Sequence, residues 1–191
     1  LHAGPHHPGF GNRSHRPCGR HGGFPFRRCA SWQKGLLYHI KDAYFDKVQD
    51  EKLMQNKEGG AFRPTFYCYK DPDSSIMWMI PLSSRVEKYR TIRDKQVKKY
   101  GRCFTIVIGI YSGREAAFLL QNMFPITERY IDHVHMSRGR IVPVSANLQK
   151  KIENNLRRIL RLRKKGIKTV YPDIDRLEQM MREELEIGAN D

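Results

Sequence analysis

The sequence predicts an α+β protein built around a compact antiparallel sheet or small barrel with added helices. Two apolar segments, residues 65–69 and 76–82, flank an Asp-Pro-Asp-Ser-Ser stretch that favours a turn between antiparallel strands. Residues 104–110 and 116–120 form a second such pair around Ser-Gly. Helical patterns stand before, between and after the hairpins and do not alternate with single strands. Parallel βαβ units are therefore not expected.

A strand, a helix and a loop are predicted ahead of the first hairpin. Residues 36–40 predict a short strand, and residues 42–54 predict a helix. Four apolar side chains of this helix are expected to face the core: Tyr44, Phe45, Val48 and Leu53. Residues 57–62 contain a Gly-Gly pair and predict a loop. Pro64 falls at the start of the next strand, where a missing amide is tolerated.

Three helices and one further strand complete the prediction. Residues 85–100 form a helix that Gly101 ends. Residues 141–144 predict a short strand. Residues 146–165 predict a long basic helix near the C-terminus, which stops before a glycine. Residues 172–185 predict a final helix, with proline in its first turn and aspartates where the macrodipole favours negative charge.

Residues 1–35 differ in composition from the rest of the chain. They contain seven Gly, four Pro, five His and six basic residues, with no acidic residue. Such a segment cannot bury enough apolar surface to offset its ordering entropy. We expect a disordered basic tail that either gathers RNA or has no function. The folded domain is expected over residues 36–187, and without the tail the chain keeps 29 basic against 20 acidic residues.

The charge of the chain indicates a polyanionic partner. The chain has 35 Lys and Arg against 20 Asp and Glu, a formal charge of +15, which suits RNA, DNA or an anionic membrane surface. No apolar run reaches the ~18–20 residues of a membrane span, and the N-terminal residues lack the apolar segment of a secretory signal. The four cysteines have neither CxxC nor zinc-finger spacing, so reduced thiols in a cytoplasmic protein are expected.

Hydroxyls and cations cluster where the second strand meets the next helix. Ser83 and Ser84 stand at this junction. Three cations follow them: Arg85, Lys88 and Arg90. Ser84 and Glu87 fit a capping box, which is the structural interpretation. It leaves the cations unexplained, because the macrodipole disfavours positive charge at a helix N-terminus. A bound phosphate would account for them, and we predict a phosphate site here.

Two further pairs of residues allow more than one interpretation. Lys57 and Arg63 flank the glycine loop, either as ordinary surface charges or as part of the phosphate site. His133 and His135 would share one face of a strand. Metal binding lacks a clear third and fourth ligand nearby, which leaves acid–base chemistry on RNA or a hydrogen-bonded structural role.

The long helix has a core stripe and a basic side. Its apolar residues recur at helical spacing: Leu148, Ile152, Leu156, Ile159 and Leu160. Eight cations occupy the other side against the single Glu153: Lys150, Lys151, Arg157, Arg158, Arg161, Arg163, Lys164 and Lys165. These cations are either simply solvated or contact backbone phosphates, which are the natural counter-charge.

Four blocks in a fixed order carry a resemblance to a known family. They are residues 56–65 (NKE…RPT), 81–89 (PLSSRVEKY), 120–125 (LQNMFP) and 130–135 (YIDHVH). Together they resemble the toxins of type III toxin–antitoxin systems, the ToxN/AbiQ group, and within it the CptN branch. The resemblance runs from about residue 38 to residue 185 and has no counterpart for residues 1–35.

The resemblance implies an endoribonuclease that cuts single-stranded RNA without a metal or other cofactor and leaves 2′,3′-cyclic phosphate ends. It implies a compact antiparallel sheet similar to that of the MazF/Kid toxins. It also implies two RNA partners: a small structured antitoxin RNA, cut from a repeated transcript and held in the active-site groove, and a cellular or phage RNA target. Protein and antitoxin RNA are expected to alternate in a closed assembly.

Residue by residue, the family's hydroxyl pair falls on Ser83 and Ser84, although the first position is more often Thr. Arg63 stands nearest the family's cation ahead of the first hairpin strand, with Lys57 as the alternative. The cation after the hydroxyl pair is Arg85 or Lys88. A tyrosine that some members use upstream has no match, which leaves the general base unassigned.

A mechanism follows from these assignments. The two serines and the amides behind them would bind the phosphoryl oxygens, while Arg63 and Arg85 stabilise developing charge. The candidate proton carriers are Lys57 and Lys88. Further RNA contacts are predicted at Lys88, Arg90, His133, His135, Lys150, Lys151, Arg157, Arg158, Arg161 and Lys164.

Two other classes of function stay open. A protein with the same basic groove could bind RNA without cutting it, and a DNA-binding regulator is the third class, although no helix-turn-helix spacing stands out. The motifs GxxxxGKS/T, GxGxxG, HExxH and GxSxG do not occur in the chain. NTPases, dinucleotide-dependent enzymes, zinc proteases and GxSxG hydrolases therefore lose their usual sequence support.

Overall fold

Seven strands form one antiparallel sheet in the computed structural model, which describes residues 32–58 and 60–188. The strands in chain order are β1 (Leu37–Ile40), β2 (Lys57–Glu58), β3 (Ala61–Phe62), β4 (Thr65–Lys70), β5 (Met77–Ser83), β6 (Ile106–Tyr111), β7 (Arg114–Leu119), β8 (Phe124–Ile126), β9 (Ile131–Val134), β10 (Met136–Ser137) and β11 (Arg140–Ile141). The helices are α1 (Asp42–Val48), α2 (Val86–Tyr100), α3 (Ala146–Lys164) and α4 (Ile174–Gly188).

The order across the sheet is β6-β7-β5-β4-β1-β9, with β8 as a further partner of β5. Two short hairpins, β2–β3 and β10–β11, stand apart from it. Within the described strands, β6 and β9 at the two ends do not pair, so the sheet is open and not a closed barrel. The predicted α+β fold with an antiparallel sheet and a long helix near the C-terminus is confirmed.

Strand β5 changes its partner along one edge. On this edge residues 77–79 pair with β8, whereas Leu82 and Ser83 pair with β7. The opposite edge pairs with β4. Pro81 lies between the two stretches, where a residue without an amide hydrogen removes no ladder bond to β7 or β8. Ser83 therefore ends a central strand, and the chain leaves the sheet there and enters α2.

Helices cover both faces of the sheet. Three buried side chains of α3 pack against one face: Ile152, Leu156 and Ile159. Four buried side chains of α1 and α4 pack against the other: Tyr44, Val48, Leu177 and Met181. Ile174, the first residue of α4, joins the cluster on the α3 side. Alternation along β5 sends Trp78 and Ile80 to the α3 side and Met77 and Met79 to the other. The predicted core stripe of the long helix is confirmed, with Leu148 and Leu160 half-buried at its edges.

Helix α1 ends six residues earlier than predicted. Gln49 adopts the left-handed conformation, with φ of 42°, and ends the helix. The Asp50 carboxylate then accepts the Asp173 amide at 2.9 Å, just ahead of α4. Arg176 of α4 donates to the Val48 carbonyl at 2.8 Å, which satisfies one of the last carbonyls of α1. Because of these contacts with α4, residues 49–54 are not helical, although the helix is predicted as far as residue 54.

Two other local predictions are wrong. Lys57–Glu58 and Ala61–Phe62 pair as the small hairpin β2–β3, where a loop is predicted over residues 57–62. Lys57 lies opposite Phe62, with its ammonium 4.6 Å from the ring centroid. Of the strand predicted over residues 141–144, only Ile141 belongs to a strand, β11. Pro143 has no amide hydrogen to donate, and the Val144 amide donates instead to the Gly35 carbonyl at 3.0 Å.

The described part of the chain begins at Trp32. Its ring meets Tyr38 edge to face at 5.3 Å, and the Gly35 amide donates to the Tyr67 carbonyl at 3.0 Å. Residues 32–35 thus pack with the domain, ahead of the predicted boundary at residue 36. The rest of the predicted tail, residues 1–31, lies outside the described residues. A search of the described helices finds none with the length and apolar character to cross a membrane.

The two cysteines within the described part of the chain, Cys68 and Cys103, are free thiols. Cys68 is buried in the core beneath α3, and burial raises the pKa of its thiol to about 12. It therefore stays protonated at neutral pH. The other two, Cys18 and Cys29, fall outside the described residues.

Candidate active site

A cleft of about 420 Å³ opens where β5 ends. We call it the Ser83 cleft. It lies between the segment ahead of β4, the end of β5, the β6–β7 turn and the β10–β11 hairpin. Its lining residues are Leu37, Ala61, Phe62, Arg63, Pro64, Leu82, Ser83, Ser84, Tyr111, Ser112, Arg114, Glu115, Ala116, His135, Ser137 and Arg138. Four of the residues predicted from sequence meet here: Arg63, Ser83, Ser84 and His135.

Arg63 is a buried cation, only 8% exposed. Its Nη1 donates to the Leu82 carbonyl at 2.8 Å, and its Nε donates to the Gln55 carbonyl at 3.1 Å. Its own amide donates to the Asn56 carbonyl at 2.6 Å. These backbone carbonyls hold the guanidinium beside Ser83. A fixed positive charge near the base of a cleft is a suitable counter-charge for a phosphate.

The two serines have different settings. Ser83 is 4% exposed and pairs with Ala117 of β7, while Ser84 is exposed. The Ser83 hydroxyl accepts the Arg85 amide at 3.2 Å. Helix α2 begins at Val86 with no side-chain cap, so the capping-box interpretation of Ser84 is wrong. The Ser83 hydroxyl therefore accepts the Arg85 amide, and the Ser84 hydroxyl makes no cap bond to α2. Ser84 lines the cleft.

The histidines predicted from sequence belong to a cluster of three. His39 of β1 lies opposite His133 of β9, with ring centroids 4.6 Å apart in a stacked arrangement. Nε2 of His39 lies 2.9 Å from Nδ1 of His135. Of the three, His135 lines the Ser83 cleft. His39 is not among the site residues predicted from the sequence, because only the pairing of β1 with β9 places it beside the other two histidines.

Burial and mutual repulsion lower two imidazole pKa values in this cluster. Burial, then the charges of His133 and His135, lower the pKa of His39 to about 4. Burial, then the charge of His133, also lower the pKa of His135 below its usual 6.5. Both rings are therefore neutral near pH 7. A neutral imidazole can accept a proton.

The rim of the cleft carries residues that the sequence did not single out. Arg114 and Arg138 are exposed and line it from two turns. The Ser112 hydroxyl donates to the Ser137 hydroxyl at 2.7 Å and links these turns. Tyr111 lines the same cleft, and its buried hydroxyl has no partner among the described residues. Turn residues 25 positions apart give no local signal in the sequence that they will meet.

A second groove, of about 390 Å³, adjoins the first through Arg63, which lines both. It contains the remaining predicted cations of this region: Lys57, Arg85 and Lys88. Lys57 donates to the Asp42 carboxylate at 2.9 Å. Arg90 lines neither groove. Its Nη2 lies 2.8 and 3.0 Å from the Glu115 oxygens, so it links α2 to β7.

The basic side of α3 lies elsewhere, and none of its described cations lines the Ser83 cleft. Arg157 pairs with Glu153 at 2.8 Å and sits 4.9 Å from the Tyr69 ring centroid. Arg158 sits 5.0 Å from the Phe104 ring centroid. Arg157, Arg161 and Lys164 line a groove between α3 and α4 that acidic residues also line. Lys150 and Lys151 are exposed. The predicted RNA contacts of α3 thus form a surface of their own.

Metal ligation has no support in the described part of the chain, where no group of three or more His, Cys, Asp or Glu side chains is arranged to hold an ion. The three histidines bond and stack with one another instead of converging on a common point. The polar groups of the Ser83 cleft are hydroxyls, guanidinium groups, one imidazole and the Glu115 carboxylate, which Arg90 binds at 2.8 Å. This donor set favours an anion.

Comparison with known proteins gives a likeness of fold. No family model matches the chain, and no curated protein matches it either. Among solved structures, the chain is similar to AbiQ, described as a lactococcal anti-phage endoribonuclease belonging to the type-III toxin–antitoxin system. The TM-score is 0.62 at 14% sequence identity, over 79% of this chain and 98% of AbiQ. At this identity the likeness shows a shared fold.

Proposed function

We propose that the protein is an endoribonuclease toxin of the type III class, which cuts single-stranded RNA in the Ser83 cleft without a metal ion. One observation carries the proposal: the fold brings Arg63, Ser83, Ser84 and His135 to the wall of a single open cleft. These residues come from separate parts of the chain. The shared fold with AbiQ agrees with the family resemblance of the four sequence blocks.

The chemistry assigned to the cleft is an in-line attack of a ribose 2′-hydroxyl on the adjacent phosphorus. The O2′–P bond forms, the P–O5′ bond breaks, and a 2′,3′-cyclic phosphate remains on the upstream fragment. The hydroxyls of Ser83 and Ser84 donate to the phosphoryl oxygens, because Ser83 accepts the Arg85 amide and still has its own hydrogen to donate. Arg63 stabilises the negative charge that grows on them, and its burial strengthens this effect because little water screens it.

The groove beside the cleft extends the path for RNA. Lys57, Arg85 and Lys88 line it, and Arg63 connects it to the cleft. On the other side, Arg114 and Arg138 form the rim. Cations on both sides of the scissile phosphate would hold the neighbouring phosphates and fix the register of the strand. Arg85 is then a binding residue for an adjacent phosphate rather than a residue at the scissile one.

The proposed partners are RNA molecules of two kinds. A structured antitoxin RNA would occupy the cleft and block it, in a closed assembly of alternating protein and RNA, and cellular or phage RNA would be the target. The formal charge of +15 supports a polyanionic partner. The exposed cations of α3, with Lys150 and Lys151 the clearest, would contact the antitoxin RNA away from the cleft.

The test is cleavage of a long single-stranded RNA in the presence of EDTA, with analysis of the fragment ends. We expect cyclic phosphate ends from the wild type, and a loss of cleavage of about 100-fold or more in Ser83→Ala and Ser84→Ala. The matched control is Ser145→Ala, an exposed serine that makes no side-chain cap bond at the start of α3.

Three outcomes would contradict the proposal in different ways. Tight binding of RNA that stays intact would assign an RNA-binding protein. Stronger competition by duplex DNA than by RNA would assign a DNA-binding protein. Cleavage that disappears in EDTA and returns with a divalent ion would refute the metal-independent mechanism, while full activity of both serine variants would exclude the Ser83 cleft as the active site.

A further inference from the structure

The proposed cleavage needs a group that takes the proton of the 2′-hydroxyl. The side chains that bind phosphate in the Ser83 cleft are hydroxyls and guanidinium groups. An arginine stays protonated at any pH at which the protein is folded, and a serine hydroxyl is a weak base. The Glu115 carboxylate also lines the cleft, but Arg90 binds both of its oxygens. The cleft contains one imidazole, that of His135.

His135 is fixed at both its backbone and its ring. Its amide donates to the Leu37 carbonyl of β1 at 2.8 Å, and its Nδ1 lies 2.9 Å from Nε2 of His39. The His39 ring is in turn stacked on His133. Nδ1 of His39 is buried with no partner in the described structure, so His135 is the side chain to which His39 hydrogen-bonds. Each ring thus depends on the other for its orientation.

This arrangement divides the two nitrogens of His135 between two tasks. Nδ1 is occupied by His39, which leaves Nε2 as the nitrogen available to a molecule in the cleft. In the tautomer in which His135 donates its Nδ1 hydrogen to His39, Nε2 carries a lone pair. A base oriented by a third group through its second nitrogen is the usual arrangement for imidazole catalysis.

We propose that His135 is the general base of RNA cleavage, and that His39 is a positioning residue that holds the His135 ring through Nδ1. This inference rests on the proposed endoribonuclease function. Nε2 of His135 takes the proton of the 2′-hydroxyl as the O2′–P bond forms and the P–O5′ bond breaks. The leaving 5′-oxygen takes a proton from a water molecule, and His135 afterwards returns its proton to the resulting hydroxide.

The surroundings of His135 keep it neutral before the reaction and stabilise it afterwards. Burial and the charge of His133 hold its pKa below 6.5, so the base form predominates near pH 7. His39, with a pKa of about 4, stays neutral and can accept the Nδ1 hydrogen when His135 becomes an imidazolium. The titratable and charged groups that share the cleft or the cluster with His135 are His39, His133, Tyr111, Arg63, Arg114, Glu115 and Arg138.

The test pairs two substitutions at each histidine. His135→Asn retains a hydrogen-bonding group near the position of Nδ1 but removes Nε2, and we expect it to lower the single-turnover cleavage rate about 10²–10⁴-fold. His135→Ala should lose as much, and added imidazole should restore part of its rate. At position 39, Gln can still bond to Nδ1 of His135, so His39→Gln should retain most of the activity that His39→Ala loses.

Binding and stability separate a chemical role from a structural one. Each variant is checked by its thermal melt and by its affinity for the same RNA with a 2′-deoxy nucleotide at the cleaved position, and both should match the wild type for His135→Asn. Cleavage by both His135 variants within threefold of wild type, with Ser83→Ala inactive, overturns the inference and leaves the proposed function intact. Inactive variants that imidazole fails to rescue also overturn it, and a wild type that cuts no RNA overturns both.

Discussion

Replacing Arg63 with lysine separates the positioning of this cation from its charge. The Arg63 guanidinium donates to two backbone carbonyls, at 2.8 Å to Leu82 and 3.1 Å to Gln55. A lysine ammonium at the end of a flexible chain can replace one of them at most. A lost hydrogen bond from a charged group costs about 1.5–3 kcal/mol, which is the destabilisation we expect from Arg63→Lys.

The expected loss of cleavage in Arg63→Lys is larger than the loss of stability alone would produce. Displacement of one preorganised donor from a transition state costs about 10²–10³-fold in rate. Urea unfolding measures the loss of stability. Single-turnover cleavage, at a temperature where the variant remains folded, measures the loss of rate.

A matched control distinguishes these two effects. Arg176 also donates to a backbone carbonyl, that of Val48 at 2.8 Å, but it does not line the Ser83 cleft. Because Arg176 is exposed, Arg176→Lys should lose less stability than Arg63→Lys, and it should cleave RNA at the wild-type rate. Equal cleavage by Arg63→Lys and Arg176→Lys would refute the role of Arg63 at the scissile phosphate.

Four further outcomes are expected. Cleavage by the wild type should rise with pH around a midpoint below pH 6.5, since burial and the charge of His133 lower the pKa of His135, and His133→Asn should move this midpoint to higher pH in a pH–rate profile. Folding stability should fall as the pH is lowered from 6.5 towards 4, because His39 binds a proton in the unfolded chain before it does so in the fold, and urea unfolding of His39→Gln should show a weaker fall. Leu156→Ala, at a fully buried site, should cost about 2–5 kcal/mol in urea unfolding, and half-buried Leu160→Ala less. Lys150→Ala and Lys151→Ala should each reduce the slope of log affinity for antitoxin RNA against log salt by about 1, and an unchanged slope would remove α3 from the RNA interface.

Local signals in the chain predicted the elements that depend on local chemistry. The two main hairpins, the ends of α2 and α3 and the core stripe of α3 follow from turn residues, glycine caps and helical spacing. Three of the local errors arose where the backbone found a partner that the local pattern does not show. Contacts with α4 ended α1, and a hydrogen bond from the Val144 amide to the Gly35 carbonyl took the place of a strand. At the start of α2, the Ser83 hydroxyl accepts the Arg85 amide, and Ser84 does not cap the helix.

The sequence by itself determined the antiparallel α+β fold, the basic charge and the place of Ser83 and Ser84 at the end of a strand, since these depend on residues that are near neighbours in the chain. The tertiary structure decided which other groups join them. Pairing of β1 with β9 brought His39 to His135 across 96 positions, and two turns brought Arg114 and Arg138 to one cleft. It also paired Arg90 with Glu115 and Lys57 with Asp42 in salt bridges. Strand register and helix packing determine such partners. They depend on many weak contacts across the whole fold, which a short stretch of sequence does not show.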